Sequence, residues 1–319
     1  MKVKSNLAQS VKKHGGRIIG NIVRIGFVIA VSYVILYPLF MKLSIALMSK
    51  ADMYDLSVAW IPKTPTLSNF KDVFRYVDYK ACMINTFVLS VVATVIQLAS
   101  CSLTAYGFAR FEFIGKKLLF LCVIFMLIVP QQTYSTAAYL QFKNFNFFGL
   151  LDLFGVDWSV SLINTKWPVW ILSAGCAALK NGLFILILRQ FFYNLPNALE
   201  EAAWVDGAGV FKIFFSVMLP NAIPALVTVA VFAFVWTWND LYAAQTFMSS
   251  YPLCATMLSS LGGQISASLR AQGSVIDTYA ISTVTNAGAL MITVPLILFF
   301  FAAQRYFIES VERTGLTGI

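Results

Sequence analysis

The stretch that decides the fold is residues 83–109, which reads MINTFVLSVVATVIQLASCSLTAYGFA and contains no charged residue. An apolar run of roughly 20 residues is what a helix needs to cross the hydrocarbon core of a bilayer. Comparable runs recur along the rest of the chain. We therefore predict six transmembrane helices, at about 25–47, 83–109, 118–139, 167–189, 214–238 and 279–304.

The composition of the whole chain agrees with a membrane protein. Of its 319 residues, 59% are hydrophobic and 12% are charged, and the mean hydropathy is +0.76. An average soluble domain carries about 25% charged residues, so a soluble enzyme, a disordered chain and a coiled coil all fit poorly. We predict an all-α membrane protein with a single polytopic domain.

The basic charge excess predicts the orientation of the chain in the membrane. The 23 Lys and Arg against 14 Asp and Glu give a net charge of +9. In a membrane protein such an excess orients loops and contacts anionic lipid. No basic patch is interleaved with aromatic residues, so we predict no nucleic-acid partner. Lys and Arg are denser on the N-terminal side of the membrane, which predicts that both termini are cytoplasmic.

These predictions divide the chain into three parts. Residues 1–24 are a basic cytoplasmic N-terminal segment, 25–306 are the transmembrane domain, and 307–319 are a cytoplasmic tail. The first apolar run is too long for the core of a signal peptide and is followed by no clear cleavage site, so we interpret it as an uncleaved helix.

Cysteine and histidine usage argues against several kinds of site. The five cysteines are widely spaced without a CxxC pair, and His14 is the only histidine. We therefore predict no metal site and no catalytic residues of the Ser-His-Asp or Cys-His type.

The segment between the fourth and fifth apolar runs carries the functional signal. Residues 194–209 read NLPNALEEAAWVDGAG, and VMLP follows at 217–220. Pro196 suits the first turn of a helix. Leu199, Ala202 and Ala203 then fall on one small apolar face.

The same segment contains signals for the end of that helix. Gly207 can adopt the left-handed conformation that ends a helix, and Asp206 can cap the helix that follows. Pro220 and Pro224 predict a bend at the entry to the fifth span. A short helix with paired alanines and flanking carboxylates predicts a docking surface for another protein. The alternative is an amphipathic helix packed on its own subunit.

The spacing of these residues resembles a known motif. Glu201-Ala202-Ala203, Gly207, Val217 and Leu219-Pro220 follow the EAA loop of ABC importer permeases, with Val217 where the usual residue is Ile. Other stretches resemble the sugar-importer, maltose-type branch of that family: WIPKTPTLSNF at 60–70, Asn85-Thr86, AYGFAR at 105–110, LRQFF at 188–192 and AQRY at 303–306.

This resemblance implies a type I ABC importer fold in a bacterial plasma (inner) membrane. It implies a second permease subunit, two ATPase subunits that hold ATP and Mg, an external solute-binding protein, a carbohydrate substrate and surrounding membrane lipid. The EAA loop, residues 194–220, would form a coupling helix on the ATPase, with no cofactor on this chain.

The implied docking residues are Glu200, Glu201, Ala202, Ala203, Asp206 and Gly207. The tail, ERTGLTGI at 312–319, departs from the usual family ending, so tail contacts with the ATPase are not implied.

Polar residues within or beside the apolar runs are candidates for a substrate path. Lys180 and Asn181 interrupt the fourth run, where they would line the path or make interhelical contacts. Trp236, Trp238, Asn239 and Asp240 cluster at the outer end of the fifth run, where they would contact a sugar or form an interfacial aromatic belt. Asn286 lies in the sixth run, and it either joins helices or lines the path.

The function predicted from the sequence is the permease subunit of a carbohydrate importer, with an oligosaccharide as the expected cargo. The chain would form half of the path and catalyse nothing, since it lacks the G-x-x-x-x-G-K-[ST] phosphate cradle. LGGQ at 261–264 is then a chance likeness to an ATPase motif. One alternative is an ABC permease for a non-sugar solute. Another is a multispan sugar transferase, although the outer acids form no such motif.

Overall fold

The computed structural model describes residues 2–149, 155, 159–178 and 180–316, and in these ranges the regular structure is helical. Fifteen α-helices are labelled in chain order: α1 (Lys2–Leu47), α2 (Lys50–Tyr54), α3 (Ser68–Tyr76), α4 (Tyr79–Arg110), α5 (Lys116–Ile128), α6 (Gln131–Lys143), α7 (Trp167–Ala174), α8 (Asn181–Asn194), α9 (Ala198–Val205), α10 (Val210–Ile213), α11 (Leu219–Asn221), α12 (Ile223–Trp238), α13 (Leu241–Phe247), α14 (Cys254–Ala271) and α15 (Thr278–Leu316). A 3₁₀ turn spans Phe147–Gly149, and a π-helix spans Phe214–Met218.

Three of these helices are long and apolar enough to cross a membrane. They contain Gly20–Leu47, Tyr79–Arg110 and Thr278–Gln304, which agree with the first, second and sixth predicted spans. Two bent pairs qualify if each counts as one span: α5 with α6, bent by 103°, and Val210–Asn221 with α12, bent by 78°. The described residues therefore contain three to five candidate spans. The prediction of six spans stays a prediction, as does the cytoplasmic placement of the termini.

The third predicted span is not one straight helix. Pro130 lies between α5 and α6, and its ring disfavours helical backbone in the residue before it, Val129. Val129 is accordingly extended, with φ of −73° and ψ of 120°. The apolar content of 118–139 predicted a span without revealing this turn.

The fourth predicted span, 167–189, is interrupted, which corrects the expectation of a continuous helix. Helix α7 ends at Ala174 and α8 begins at Asn181. Between them, Cys176 and Lys180 have positive φ values of 56° and 64°. The left-handed conformation is incompatible with a continuing right-handed helix, so the backbone leaves the helix here.

The bend before α12 agrees with the prediction made for the proline pair. Pro220 lies in α11, and Pro224 occupies the first turn of α12. The π-helix at Phe214–Met218 adds a second irregularity just before them. Proline and π-bulges are the usual causes of sharp helix kinks, because both disturb the regular backbone ladder.

The domain division predicted at residues 24 and 306 has no matching break, since α1 and α15 continue through those positions. It stays a prediction, and Met1 and 317–319 lie outside the described residues. Instead, the chain forms two compact units. One contains the residues up to Val73 together with Ile265–Met291, and the other contains Phe74–Gln264 together with the residues from Ile292 on.

In the first unit, buried polar side chains organise the connection after α1. Buried Asn69 donates hydrogen bonds to the carbonyl oxygens of Ala46 (2.8 Å) and Met48 (2.9 Å). Buried Asp52 accepts hydrogen bonds of 3.0 Å from both the backbone N–H and the hydroxyl of Thr64. Burial opposes the charge on Asp52, but these hydrogen bonds outweigh it and lower the pKa of the carboxyl.

In the second unit, α4 is the central helix and contacts α7, α8 and α12. Its core includes the fully buried Phe184 and Leu188 of α8 and Val229 of α12. Polar side chains add links between elements. Gln97 donates to the hydroxyl of Ser173 at 3.5 Å, and Asn85 donates to the carbonyl of Pro252 at 3.3 Å.

Helices α8 and α5 approach closely at Gly182. A Cβ atom at this position would lie 2.9 Å from the carbonyl oxygen of Val123 and 3.1 Å from a methyl group of Leu127. The first neighbour is backbone and cannot rotate away. The glycine is therefore required for the contact between the two helices.

We predict that Gly182→Ala destabilises the protein by about 1–3 kcal/mol, because the added methyl group overpacks this contact. The measurement is the thermal midpoint of the purified protein in detergent. Gly107→Ala in α4 is the matched control, since a Cβ at 107 meets nothing within 4 Å. An unchanged thermal midpoint for Gly182→Ala would contradict this prediction, because it would show that α5 and α8 can move apart without loss of stability.

Candidate functional site

The EAA loop contains the short helix α9, which begins later than the sequence predicted. Pro196 lies before the helix, and Asn197 is its N-cap. The N–H groups of Leu199 and Glu200 donate to the carbonyls of Pro196 (3.2 Å) and Asn197 (2.9 Å). The proline therefore starts the turn that leads into the helix, and it does not occupy the first helical turn.

The end of α9 follows the prediction for glycine. Gly207 has a φ of 74°, its N–H donates to the carbonyl of Trp204 at 2.9 Å, and the N–H of Ala208 donates to Ala203 at 3.0 Å. This pair of bonds is a Schellman motif, which satisfies carbonyls at the end of the helix. A residue with a Cβ would be strained at this φ.

The prediction that Asp206 caps the following helix is wrong. Asp206 is the C-terminal cap of α9. The next helix, α10, begins at Val210 with Gly209 at its N-cap and has no side-chain cap. The two residues after Asp206 complete the Schellman motif, so the chain does not pass from Asp206 directly into a new helix.

One side of α9 is fixed to α4 by an ion pair. Nε of Arg110, the last residue of α4, lies 2.9 Å from Oε2 of Glu200, and the two side chains are only 9% and 13% exposed. The Tyr106 hydroxyl donates to Oε1 of the same carboxylate at 2.7 Å. Arg110 also donates through Nη2 to the carbonyl of Leu195 at 2.7 Å and through Nη1 to Oδ1 of Asn197. We call these five residues the Arg110 clamp.

The opposite side of α9 is exposed. Glu201, Ala202, Asp206 and Gly207 all lie on the surface, whereas Ala203 packs partly against the core of the second unit. The six predicted docking residues therefore separate into four exposed residues and two, Glu200 and Ala203, that contact the chain itself.

Two further exposed residues of α9 are large and apolar, and they were not predicted from the sequence. Trp204 is 54% exposed and Val205 is 88% exposed. A cleft of about 600 Å³ is lined by Trp204, Glu201 and Tyr193 together with residues of the Arg110 clamp, so Trp204 lies next to the clamp. The available signal was an aromatic residue directly after the Glu-Ala-Ala triplet, because tryptophan is enriched among the residues that dominate binding at protein interfaces.

A second cavity lies where the third and fourth predicted spans are interrupted. It has a volume of about 600 Å³, and Lys180 and Asn181 both line it, together with Gln131, Gln132 and Tyr134. Asn181 is fully buried, and its Oδ1 has no hydrogen-bond partner among the described residues. The sequence predicted Lys180 and Asn181 as candidates, but not Gln131, Gln132 and Tyr134. These three polar residues lie in the first turn of α6, directly after Pro130.

The remaining predicted path residues are not among those lining this cavity. Trp236 stacks on Phe184 with ring centroids 5.6 Å apart, and Trp238 is buried in a neighbouring cluster. Asn239 is exposed, and its side chain donates to the carbonyl of Val235 at 2.9 Å.

Asp240 and Asn286 are occupied by contacts within their own segments. The carboxylate of Asp240 accepts a 2.9 Å hydrogen bond from the N–H of Ala243, at the start of α13. Burial raises the pKa of Asp240, and the N–H groups of Ala243 and Tyr242 work against that rise. Asn286 lies in the first compact unit and donates to the carbonyl of Ser282 at 2.8 Å. Their roles in a path stay predictions.

Long apolar helices and two bent pairs are typical of a helical membrane protein that crosses the bilayer several times. Residues 98–313 match the family described as "Binding-protein-dependent transport system inner membrane component", and the chain belongs to that family. It is therefore an ABC transporter permease.

Similar proteins include an osmoprotective compounds uptake permease of Synechocystis, 32% identical over 80% of this chain and 77% of the relative. A trehalose transport system permease of Mycobacterium tuberculosis is 30% identical over 81% of this chain and 84% of the relative. Among solved structures, a chain of a bacterial ABC transporter that imports the acidic polysaccharide alginate shares the fold, with a TM-score of 0.71 and 21% identity. That match covers 91% of this chain and 97% of the other.

The structure predicts different effects for the two adjacent glutamates of the loop. Glu200→Gln should lower the free energy of unfolding by about 1.5–3 kcal/mol, because it removes the charged partner of Arg110. Glu201→Gln should change it by less than about 0.5 kcal/mol, because the side chain is exposed. The measurement is the thermal midpoint of each purified variant in detergent. Equal effects of the two substitutions would contradict the clamp.

Proposed function

We propose that the chain is a transmembrane subunit of an ATP-driven importer for a carbohydrate, and that α9 couples it to a separate cytoplasmic ATPase. The observation that carries this proposal is the arrangement of α9. Glu200 is anchored in the Arg110 clamp, whereas Glu201, Trp204 and Val205 are exposed and free for contact. Such a surface suits a partner protein that binds α9 and displaces it without separating it from α4.

The clamp also connects α9 mechanically to the membrane-spanning part of the chain. It connects the loop to the end of α4, a helix of 32 residues. At 1.5 Å per residue, α4 is about 48 Å long, which exceeds the thickness of the hydrocarbon core. A displacement of α9 would therefore be transmitted by α4 across the full thickness of the membrane.

The proposed assembly has two permease subunits and two ATPases. This chain forms half of the path, and a different chain forms the other half. ATP and Mg bind to the ATPases, where hydrolysis takes place, and this chain catalyses no reaction. An external solute-binding protein delivers the cargo, in agreement with the family description. The assembly would lie in a bacterial inner membrane.

The proposed cargo is a carbohydrate, with an oligosaccharide as the favoured size. A named trehalose permease among the relatives and an alginate importer among the structures support it. The cavity of about 600 Å³ supports it as well, because ligand pockets have volumes of about 300–1,000 Å³. The osmoprotective-compound permease keeps a non-sugar solute as the second candidate.

We predict that Glu201→Lys and Gly207→Val each reduce ATP-dependent uptake by about ten-fold or more, since the first alters the exposed surface of α9 and the second disturbs the Schellman motif that ends it. Glu201→Lys reverses a charge, and Gly207→Val places a β-branched residue at a φ of 74°. The amount of chain in the membrane fraction should not change. The measurements are uptake of labelled oligosaccharide and the amount of ATPase that co-purifies with this chain.

Gly209→Ala is the matched control for the glycine substitution. A Cβ at 209 meets nothing within 4 Å, and its φ of −75° is accessible to alanine. This variant should retain uptake. Wild-type uptake by both Glu201→Lys and Gly207→Val would refute coupling through α9.

A further inference from the structure

The cavity at the two helix interruptions combines features that select a ligand by charge. It is lined by the end of α5, the start of α6, the connection from α7 and the start of α8. Irregular backbone at membrane depth is tolerated where it is buried in protein or lines a water-filled cavity. The breaks in the third and fourth predicted spans both line this cavity. The cavity therefore explains why the backbone is irregular at both places.

The cavity lies at the opposite end of α8 from the EAA loop. Helix α8 has 14 residues, and the EAA loop begins at its last residue, Asn194. Lys180 is therefore about 20 Å along the helix axis from the loop, against a hydrocarbon core about 30 Å thick. If the loop lies at the membrane surface and α8 crosses the membrane, the backbone of Lys180 lies within the hydrocarbon core.

The charge of Lys180 is not balanced by the walls of the cavity. The lining contains no aspartate or glutamate among the described residues. Asp240 does not line the cavity, and its carboxylate is engaged at the start of α13. The first N–H groups and the dipole of α8 add further positive potential at the same place. A charged side chain within a membrane faces the protein interior or a water-filled cavity. Lys180 is exposed and forms no ion pair with a described residue, so its ammonium group is available to an anion in the cavity.

The backbone at this residue is strained. Lys180 has a φ of 64°, which a residue with a Cβ adopts at a cost and which glycine adopts freely. The conformation holds the lysine at the break in the helix, directly beside Asn181. The amides of Gln131 and Gln132 can both donate and accept hydrogen bonds, whereas the side chain of Asn181 is fully buried and donates to the carbonyl of Ser173 at 3.4 Å. The walls therefore suit hydroxyl groups, and Lys180 suits an anion.

We propose that this cavity binds an acidic saccharide and that Lys180 pairs with its carboxylate. Sugar hydroxyls would contact Gln131 and Gln132, and a sugar face would lie against the ring of Tyr134. The proposal rests on the proposed function of a carbohydrate importer, and it names the chemical class of the cargo. A neutral sugar leaves the lysine unpaired, so the site discriminates in favour of a uronate-containing chain.

The experiment uses the whole complex, purified through a tag on this chain and reconstituted in liposomes with its ATPase and binding protein. The acidic probes are trigalacturonate and trimannuronate. The neutral probes are maltotriose and the trimethyl ester of trigalacturonate, which keeps the sugar and removes the charge. Uptake of each is measured with and without ATP for the wild type, Lys180→Met, Lys180→Arg and the control Lys117→Met, whose lysine is exposed and outside the cavity.

We expect Lys180→Met to reduce ATP-dependent uptake of at least one acidic probe by about ten-fold or more, the worth of one charged hydrogen bond. Lys180→Arg should keep most of the uptake because it keeps the charge, and Lys117→Met should leave it unchanged. Uptake of the neutral probes should differ little between Lys180→Met and the wild type.

The possible failures separate this inference from the proposed function. A wild-type complex that takes up a neutral probe but neither acidic probe overturns the inference and leaves the carbohydrate importer standing. Equal loss of acidic and neutral uptake in Lys180→Met and Lys180→Arg assigns the lysine a structural role and also overturns it. ATP-dependent uptake of none of the four saccharides contradicts the proposed function itself, and the inference falls with it.

Discussion

The ion pair between Arg110 and Glu200 is the contact that fixes the functional loop. A guanidinium can hold several acceptors at once because its donors form a rigid fork. Arg110 uses this geometry to engage the carboxylate of Glu200, the side chain of Asn197 and the carbonyl of Leu195. Its position at the C-terminus of α4 is favourable in itself, since a cation there complements the helix dipole. The start of α9 is thereby set by the end of α4.

The apolar pattern predicted the long helices well and the broken ones poorly. Uninterrupted runs such as 83–109 leave the backbone no alternative to a helix in a membrane, because no water is present to satisfy its polar groups. The run at 167–189 is almost as apolar, yet it breaks at Cys176 and Lys180. Neither residue is a glycine or a proline, so no local signal announced a left-handed backbone. A left-handed backbone is unfavourable for residues with a Cβ, so its position depends on the whole fold and not on the local sequence.

The candidate site shows the same limit at the level of single residues. The left-handed Gly207 could be predicted, because only glycine adopts that conformation without strain at the end of a helix. The different roles of Glu200 and Glu201 could not be predicted from the sequence. The partners of Glu200, Tyr106 and Arg110, are about 90 residues away in the chain, and spacing within the loop does not show which glutamate faces them. Lys180 was a candidate from its charge alone, whereas Gln131 and Tyr134 gained significance only from the turn at Pro130.

Helix α8 connects the EAA loop to the cavity, and through it a displacement of the loop would reach the cavity. The EAA loop leaves the C-terminal end of α8, and Lys180 and Asn181 stand at its N-terminal end. Near that end, Gly182 places α8 against the backbone of α5, whose last residues line the same cavity. Packed helices shift as rigid bodies more readily than they deform. A displacement of α9 by a partner would therefore move α8 at the contact with α5, and the width of the cavity would change with it. Since binding energy shifts a conformational equilibrium only when a ligand distinguishes the two states, a charge pair with Lys180 that depends on this width would link cargo binding to the position of the loop.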